Sequence, residues 1–493
     1  MVVEVLGARL LSPYFGDNVY VWSALISVTM VALAMGYWIG GRIADSRGRS
    51  ALLDQVIAAA GVTVGVIPVL ISALGGGFAD WNYEAGLLAS TLLCFGPSLF
   101  LLGIVSPLAV RLAARSLAEV GRSAGKVWAW STAGGIVGAL GAGFFLLPAI
   151  PVSRIYSLAG AVLLLLAIAR RLGRGRWPVL VIMPALALAP VLADPGGWLS
   201  GPATWSEERF AVRHTEPSFH GSVRVIDRDD DRFLVIDGMC HSAMSRRTGQ
   251  PMMPHVYALG ALPYLRPEGR SLLLIGLGAG DVIRLLDGYG LQATAVEIAA
   301  PVARLASAFF GLREDSLRVV IDDGRRFVRG DRGSYDFIIM DAYAGARPAA
   351  HLLTREALAS MRARLRPNGV VSLNLTALGY ESALVRDLAA TLESVFAHTL
   401  AVAVEPEPQG LCNVVFFASE HLVRLPLEWF PAPADPGFHE FLRELPARVI
   451  DPQAGEGAVI TDDLNRVDAA AARAEIEMRR LNRQLLPASV LAP

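Results

Sequence analysis

A chain of 493 residues that is 53% hydrophobic, with a mean hydropathy of +0.45, is too apolar for an ordinary water-soluble enzyme and long enough for more than one domain. Its net charge of −1 gives no footprint for nucleic acid, and Lys126 is the only lysine, an arginine bias that reflects a GC-rich genome rather than a recognition surface. Cys94, Cys240 and Cys412 stand singly, without the paired spacings of a zinc site or a disulfide framework, so neither a structural metal nor a disulfide is expected.

The chain opens on "MVVEVLGARLLSPYFG", whose apolar part is too short to cross a bilayer and reads as the second half of a longer helix. Glu4 and Arg9 there fit either an intramembrane ion pair or an interfacial segment with both charges solvated. Candidate spans follow at Val19–Gly41, Ala51–Leu74, Ala85–Val110, Val127–Ile150, Ile155–Ala169 and Pro178–Ala193, the last two short. A span takes about 20 residues at ~1.5 Å each. The apolar runs continue helix after helix instead of ending at a cleavage site, so no cleavable signal is expected. Arginines cluster in "GRIADSRGRS", "RLAARSLAEVGRSAGK" and "RRLGRGRW", after the first, third and fifth spans. The positive-inside rule makes those connections cytoplasmic. The expectation is a multi-pass protein of a bacterial-type inner membrane, with the lipid bilayer as a partner. Gly134, Gly135, Gly138 and Gly141 recur at helical spacing and predict close helix packing.

After Asp194 the composition changes to the proline- and glycine-rich "DPGGWLSGPATW". "GSVRVIDRDDDRFLVIDG" then alternates with period two on either side of a charged turn, as a β-hairpin does. From Ser271 strands and helices alternate: strand Leu272–Ile275, helix Val282–Gly288, strand Thr294–Ile298, helix Ala300–Phe310, strand Arg318–Ile321, strand "YDFIIMD", helix Thr354–Leu365, strand "GVVSLNL", helix Glu381–Phe396, and paired strands in "HTLAVAV" and "NVVFFAS". The fold expected is an α-helical transmembrane bundle over 1–194, a linker and small β-hairpin lead-in over 195–262, and an α/β Rossmann-like domain over 263–493. Ligands of such sheets sit at the carboxyl ends of the strands.

The first strand ends in Gly276-Leu277-Gly278-Ala279-Gly280-Asp281. A dinucleotide fingerprint would have glycine in place of Asp281, whose carboxylate repels a pyrophosphate. Glu297, ending the second strand, suits the two hydroxyls of a ribose, so the loop predicts a nucleoside without phosphates. Asp323 follows the third strand and can accept from an adenine amino group, with Gly324 leaving room for the ring. Asp341 follows the fourth and faces the reactive end of the ligand. The competing reading of each acid is a helix N-cap.

With these residues in view, the chain resembles the membrane-fused branch of the spermidine synthase-like (polyamine aminopropyltransferase) proteins, a family with the S-adenosylmethionine methyltransferase type of fold. The resemblance rests on "EVLGARLLSPYFGDNVYVW", "GYWIGGRIADSRGR", "FHGSVRVID", "FLVIDGMCHS", "LIGLGAGD", "VEI", "IDDGRRF", "YDFIIMDAYAG", "HLLTREAL" and "ITDDLNRVD". It implies that Gly276, Gly278, Gly280, Asp281, Glu297, Asp323 and Gly324 hold decarboxylated S-adenosylmethionine or S-adenosylmethionine as cosubstrate, with no metal. It also implies that Asp341 is the catalytic carboxylate acting on a small-molecule amine acceptor, with Tyr343 supplying a hydroxyl to the same amine. Substrate contacts would fall to His220, His241, His255 and Tyr257.

The chain departs from the family where acids hold cationic ends, with Ala279 and Ala344 in place of aspartates, His241 in place of a glutamine, His220 in place of a tyrosine, and His255-Val256-Tyr257 in place of Tyr-His-Glu. Three functions therefore stay open: aminopropyl transfer, methyl transfer from intact S-adenosylmethionine, and an inactive nucleoside-binding scaffold. The first is favoured by the wider resemblance and the second by the lost acids. The three histidines read as cleft or surface residues rather than a metal set. Homo-oligomerisation stays open. A sixth span would place the C-terminal domain outside, whereas its presumed cosubstrate is made in the cytoplasm; Pro184 and Pro190 would let that segment be re-entrant.

Overall fold

The computed structural model describes residues 1–16, 19–47, 50–79, 81–114, 116, 119–147, 150–172, 210–313, 317–405, 408–423 and 435–486. The candidate span Pro178–Ala193 and the linker after Asp194 lie outside them. Contacts divide the described residues into a helical unit, up to 172 with 217–222, and an α/β unit, 210–216 with 223–486.

The helical unit contains α1 (Val2–Phe15), α2 (Val19–Arg47), α3 (Ser50–Ala79), α4 (Tyr83–Ala113), α5 (Val120–Leu140, extended by a π-helical turn over Gly141–Leu146) and α6 (Val152–Leu172). Helices α2 to α6 are each long and apolar enough to cross a membrane. Asn82 starts α4 by accepting the backbone N–H groups of Glu84 and Ala85. Glu4 and Arg9, on α1, are both half-buried.

Close helix approach occurs, but mainly at glycines other than the predicted series. A Cβ on Gly36 of α2 would lie 2.4 Å from the Phe100 carbonyl of α4, and one on Gly61 of α3 would lie 2.8 Å from the Gly160 carbonyl of α6. Of the predicted series, Gly135 and Gly138 face Met1 and Val2, whereas Gly134 and Gly141 have nothing within 4 Å. Arg170, near the end of α6, pairs at 2.8 Å with buried Asp54 in the first turns of α3. Asp45 of α2 and Arg111 of α4 line one cavity of about 990 Å³ with Trp128 of α5. The helix ends that carry the arginine clusters thus lie on one side of the bundle, as the positive-inside reading requires.

The α/β unit opens with an antiparallel sheet of β1 (Phe210–Ser218), β2 (Gly221–Arg228), β3 (Asp231–Ile236) and β4 (Met239–Ser245), ordered β1-β2-β3-β4. The expected hairpin is its central pair: Arg228 faces Asp231 across the Asp229-Asp230 turn. Two short helices, α7 (Pro254–Leu259) and α8 (Leu262–Leu265), lead into the main sheet.

The main sheet alternates in sequence as β5 (Ser271–Ile275), α9 (Asp281–Leu285), β6 (Gln292–Glu297), α10 (Ala300–Phe310), β7 (Leu317–Ile321), α11 (Gly324–Gly330) and β8 (Tyr335–Met340). A small hairpin follows, β9 (Tyr343–Ala344) and β10 (Arg347–Pro348). Then come α12 (Arg355–Arg362), β11 (Leu365–Leu378), α13 (Ala383–Glu393), β12 (His398–Ala403), β13 (Leu411–Ser419), α14 (Pro436–Glu444), β14 (Val449–Ile450) and α15 (Val467–Leu485).

Strand order is β14-β12-β13-β11-β8-β5-β6-β7. Strands β11, β8, β5, β6 and β7 are parallel, and β13 runs antiparallel to β11 and β12. The central strands are mostly apolar because both faces are covered, with Asp336, Ser372, Asn374 and Thr376 as buried polar exceptions. Leu273, Ile275, Ile338 and Met340 enter one core, and Leu272, Leu274, Phe337 and Ile339 the other. This is the Rossmann-like, S-adenosylmethionine-binding type of fold. The chain proceeds outward from β5 through β6 to β7 and then returns to β8, so the switch point where open α/β sheets bind ligands lies between β5 and β8.

Candidate active site

The loop leaving β5 uses its glycines for backbone geometry. Gly276, Gly278 and Gly280 have φ of +91°, +54° and +78°, a region that L side chains enter only with strain. A Cβ on Gly276 would stand 2.3 Å from the Asp341 carbonyl, so the loops after β5 and β8 touch backbone to backbone. Gly280 precedes α9 as its left-handed cap. The methyl of Ala279 is fully buried with Val223, Val225, Leu234 and Phe310. A carboxylate at that position would enter an apolar cluster, and its replacement by alanine has a packing reason.

Glu297 ends β6 with its carboxylate buried beneath this loop. It accepts the N–H of Leu277 at 3.1 Å and that of Ala299 at 2.9 Å, tying the two strand ends together. Burial raises its pKa against the pull of these donors. The N–H groups of Gly278 and Ile298 point at the same carboxylate, so the backbone of both strand ends converges on it.

Asp281, the acid of the glycine loop, is the first residue of α9. Its carboxylate is buried and pairs with Arg284, and burial raises its pKa while Arg284 and the Ser242 hydroxyl oppose the rise. Its charge is therefore met inside the protein, which weakens the repulsion argument against a pyrophosphate.

Asp323 is the N-cap of α11: Oδ1 accepts the Arg326 N–H at 2.8 Å. Its other oxygen lies 3.0 Å from His351 Nε2 and is partly exposed. The cap reading thus applies here, with one oxygen still on the surface. Gly324 is required by packing, since a Cβ there would lie 2.4 Å from Ile275 of β5.

Asp341, following β8, is held from two sides. Oδ1 accepts the Asn374 amide at 2.9 Å, Asn374 Oδ1 accepts from Asn413 at 3.0 Å, and Asp341 Oδ2 is 3.7 Å from His255 Nε2 at the start of α7. Tyr343 Oη meets Thr376 Oγ1 at 3.0 Å and accepts the Thr376 N–H at 2.9 Å. Burial, then the charge of Asp341, raises the Tyr343 pKa, so the phenol stays protonated.

Of the four residues expected at the substrate, His255 reaches Asp341, and His241 is half-buried on β4 with its Nε2 enclosed. Tyr257 is drawn into an aromatic cluster, stacked on Phe438 at 5.8 Å, where burial and Asp435 push its pKa up to about 12. His220 is on the β1–β2 turn, among the residues grouped with the helical unit; its N–H donates to Ser218 Oγ, and burial lowers its pKa. Ser242, unnoticed in the sequence, accepts the Ala279 N–H at 3.1 Å and so fixes the glycine loop. Asn374 was legible in principle as a polar residue inside an apolar strand. Among the described residues no three His, Cys, Asp or Glu side chains form a metal-ligand group.

Residues 251–424 match the family model of the spermine/spermidine synthase domain. The resemblance is at family level, to a transferase-like domain of S-adenosylmethionine-binding fold. Among similar proteins, an N-terminal histidine N-methyltransferase of Emericella nidulans is 30% identical over 193 residues, 34% of this chain and 34% of that protein. A polyamine aminopropyltransferase of Chromobacterium violaceum is 36% identical over 111 residues, 22% of this chain and 42% of that one. Spermidine synthase 1 of Hyoscyamus niger is 26% identical over 243 residues, 45% and 76% of the two chains. A probable spermidine synthase structure from Corynebacterium glutamicum superposes with a TM-score of 0.42 at 20% identity, covering 51% of this chain and 95% of that one. The chain spans about a third of the length of the histidine N-methyltransferase, 34%.

Proposed function

We propose that the α/β unit transfers an aminopropyl group from decarboxylated S-adenosylmethionine to an amine acceptor. The observation that carries this reading is Asp341, a carboxylate at the sheet's switch point held by Asn374 and facing His255. The carbon attacked is bound to a sulfonium, which leaves as a neutral thioether and needs no acid. The amine is the difficult partner, because an alkylamine has a pKa of roughly 10 and is protonated at neutral pH. Asp341 orients the ammonium and takes its proton; the nitrogen lone pair forms the new C–N bond as the C–S pair returns to sulfur. Asn374 keeps one carboxylate oxygen occupied so that the other faces the amine. Glu297 and Asp323 hold the ribose and the adenine.

Methyl transfer from intact S-adenosylmethionine is the second reading, favoured by Ala279, which leaves no carboxylate in the glycine loop for a cationic aminopropyl end. Calorimetry with both donors on Glu297→Ala, Asp323→Ala and Asp341→Asn tests the assignment. Loss of affinity in the first two and loss of turnover alone in the third is expected. Tighter binding of the intact compound would favour methyl transfer, and equal loss of affinity in all three would remove Asp341 as the base.

The chain is further proposed to be an inner-membrane protein of two separate domains, residues 1–194 in the bilayer and the α/β domain outside it. Residues 200–493 expressed alone should unfold cooperatively without detergent. An impermeant thiol reagent on intact cells, applied to a cysteine placed at Asp230, reads the side.

A further inference from the structure

A buried cation lies against the hairpin that follows Asp341. Arg479 on α15 is 3% exposed, and its neighbours come from three elements. Nη1 lies 3.5 Å from the Asp237 carbonyl in the β3–β4 turn, and Nε lies 3.3 Å from Glu475. Nη2 has no hydrogen-bond partner among the described residues. It faces Gly345, at the tip of the β9–β10 hairpin that follows Asp341, where an added Cβ would stand 3.6 Å away. Glu475 also lies 3.4 Å from Arg347 of β10, which in turn pairs at 2.8 Å with the exposed Asp468, so Glu475 is the buried carboxylate that both guanidiniums contact.

His241 supplies a second unpartnered group. The β3–β4 register shifts between Leu234↔Ser242 and Val235↔Cys240, leaving His241 as the extra residue of a β-bulge. A bulge re-aims a side chain out of the strand's alternation. Its Nε2 is buried without a partner among the described residues, and burial, then Arg479, lowers its pKa to about 4, so the ring is neutral. Buried donors of this kind are normally satisfied. Arg479 Nη2 beside Gly345 and His241 Nε2 on β4, a strand that α15 packs against, point to a ligand group that accepts hydrogen bonds and bears negative charge.

We propose that Arg479 and His241 form a carboxylate subsite on the acceptor side of the cleft, so that the acceptor is an amine that also carries a carboxylate, such as an amino acid, rather than a polyamine. The inference rests on the transferase reading above and names its acceptor class. The guanidinium takes the carboxylate through Nη2, a charge-assisted bond, and the His241 ring donates a second one. Asp341 then meets the ammonium of the same molecule. An aspartate in place of Ala344 would repel such an acceptor, which accounts for its loss.

The test uses the full-length protein in detergent, with putrescine and ornithine as a pair of acceptors that differ by one carboxylate. The wild type should prefer ornithine, and Arg479→Gln should lower that preference roughly ten- to hundredfold through KM. Arg479→Lys should restore part of it. Should Arg479→Gln fail to fold, the Glu475→Gln/Arg479→Gln double variant and His241→Gln carry the same measurement. A wild type that prefers putrescine, or an unchanged preference in the variants, overturns the subsite and leaves the transferase reading standing. Lost affinity for S-adenosylmethionine with unchanged affinity for its decarboxylated form would move the carboxylate to the donor and overturn the acceptor assignment. If ornithine raises the melting temperature of the wild type but not of Arg479→Gln, and no transfer occurs, the subsite stands and the transferase reading falls.

Discussion

Both units pair an arginine with a buried carboxylate, and they use the pair differently. In the helical unit Arg170 reaches Asp54 at 2.8 Å, with the arginine about one-third exposed at the bundle end and the aspartate buried. In the α/β unit Arg479 and Arg347 share Glu475, and Arg479 Nη2 is left over. A guanidinium taken out of water is costly unless its donors are met. The Arg170 pair joins α3 to α6, whereas the leftover Arg479 donor is the basis of the proposed anion subsite. The glycines divide in the same way. Gly36 and Gly61 let helices touch, whereas Gly276, Gly278 and Gly280 supply a backbone path closed to other residues.

The largest expected effect is on catalysis alone. Asp341→Asn should lower turnover about 10²- to 10⁴-fold, with binding of decarboxylated S-adenosylmethionine retained, measured by single-turnover kinetics beside calorimetry. A comparable loss from Asp54→Asn would break the contrast between the units.

Next is a pH effect from His241. Its folded pKa, about 4, lies below the ordinary value of 6.5, so between those values the unfolded chain binds the extra proton. The His241 contribution is complete above about pH 6.5 and is lost as pH falls towards 4, by roughly 3 kcal/mol at most. Melting curves from pH 4 to 7 should show this slope, and His241→Gln should flatten it.

The glycines come third. Gly276→Ala should cost about 1–3 kcal/mol and lower donor affinity, because the loop after β5 must move off Asp341. Gly36→Ala should cost a similar amount of stability through the α2–α4 contact, without changing donor affinity. Gly41→Ala, with nothing within 4 Å and a helical position, should be neutral or slightly stabilising on a thermal melt. Arg170→Met should cost about 1–2 kcal/mol of stability with turnover unaffected, since Arg170 is partly solvated.

Much was settled by local pattern. Helix Ala300–Phe310 and the strands around Leu272–Ile275 and "YDFIIMD" follow from periodicity and β-α alternation, since the apolar spacing must match whichever surface is buried. The long apolar helices and the sidedness of their arginines follow from length and charge, which need no tertiary information. The glycine loop and the acids after β6, β7 and β8 were legible because parallel sheets bring strand ends to one edge. Side-chain partnership was not legible in the same way. Asp281 pairs with Arg284, one oxygen of Asp323 caps α11, and Tyr257 stacks on Phe438. Helix α15 is the extreme case. Glu475 and Arg479, four residues apart, resemble any solvated ion pair on a helix face. Only the packing of α15 against β4, β10 and β11 buries that face and brings Arg479 beside Gly345, from 134 positions away in the chain. Local sequence sets which elements form; which polar groups are left without a partner is a property of long-range packing.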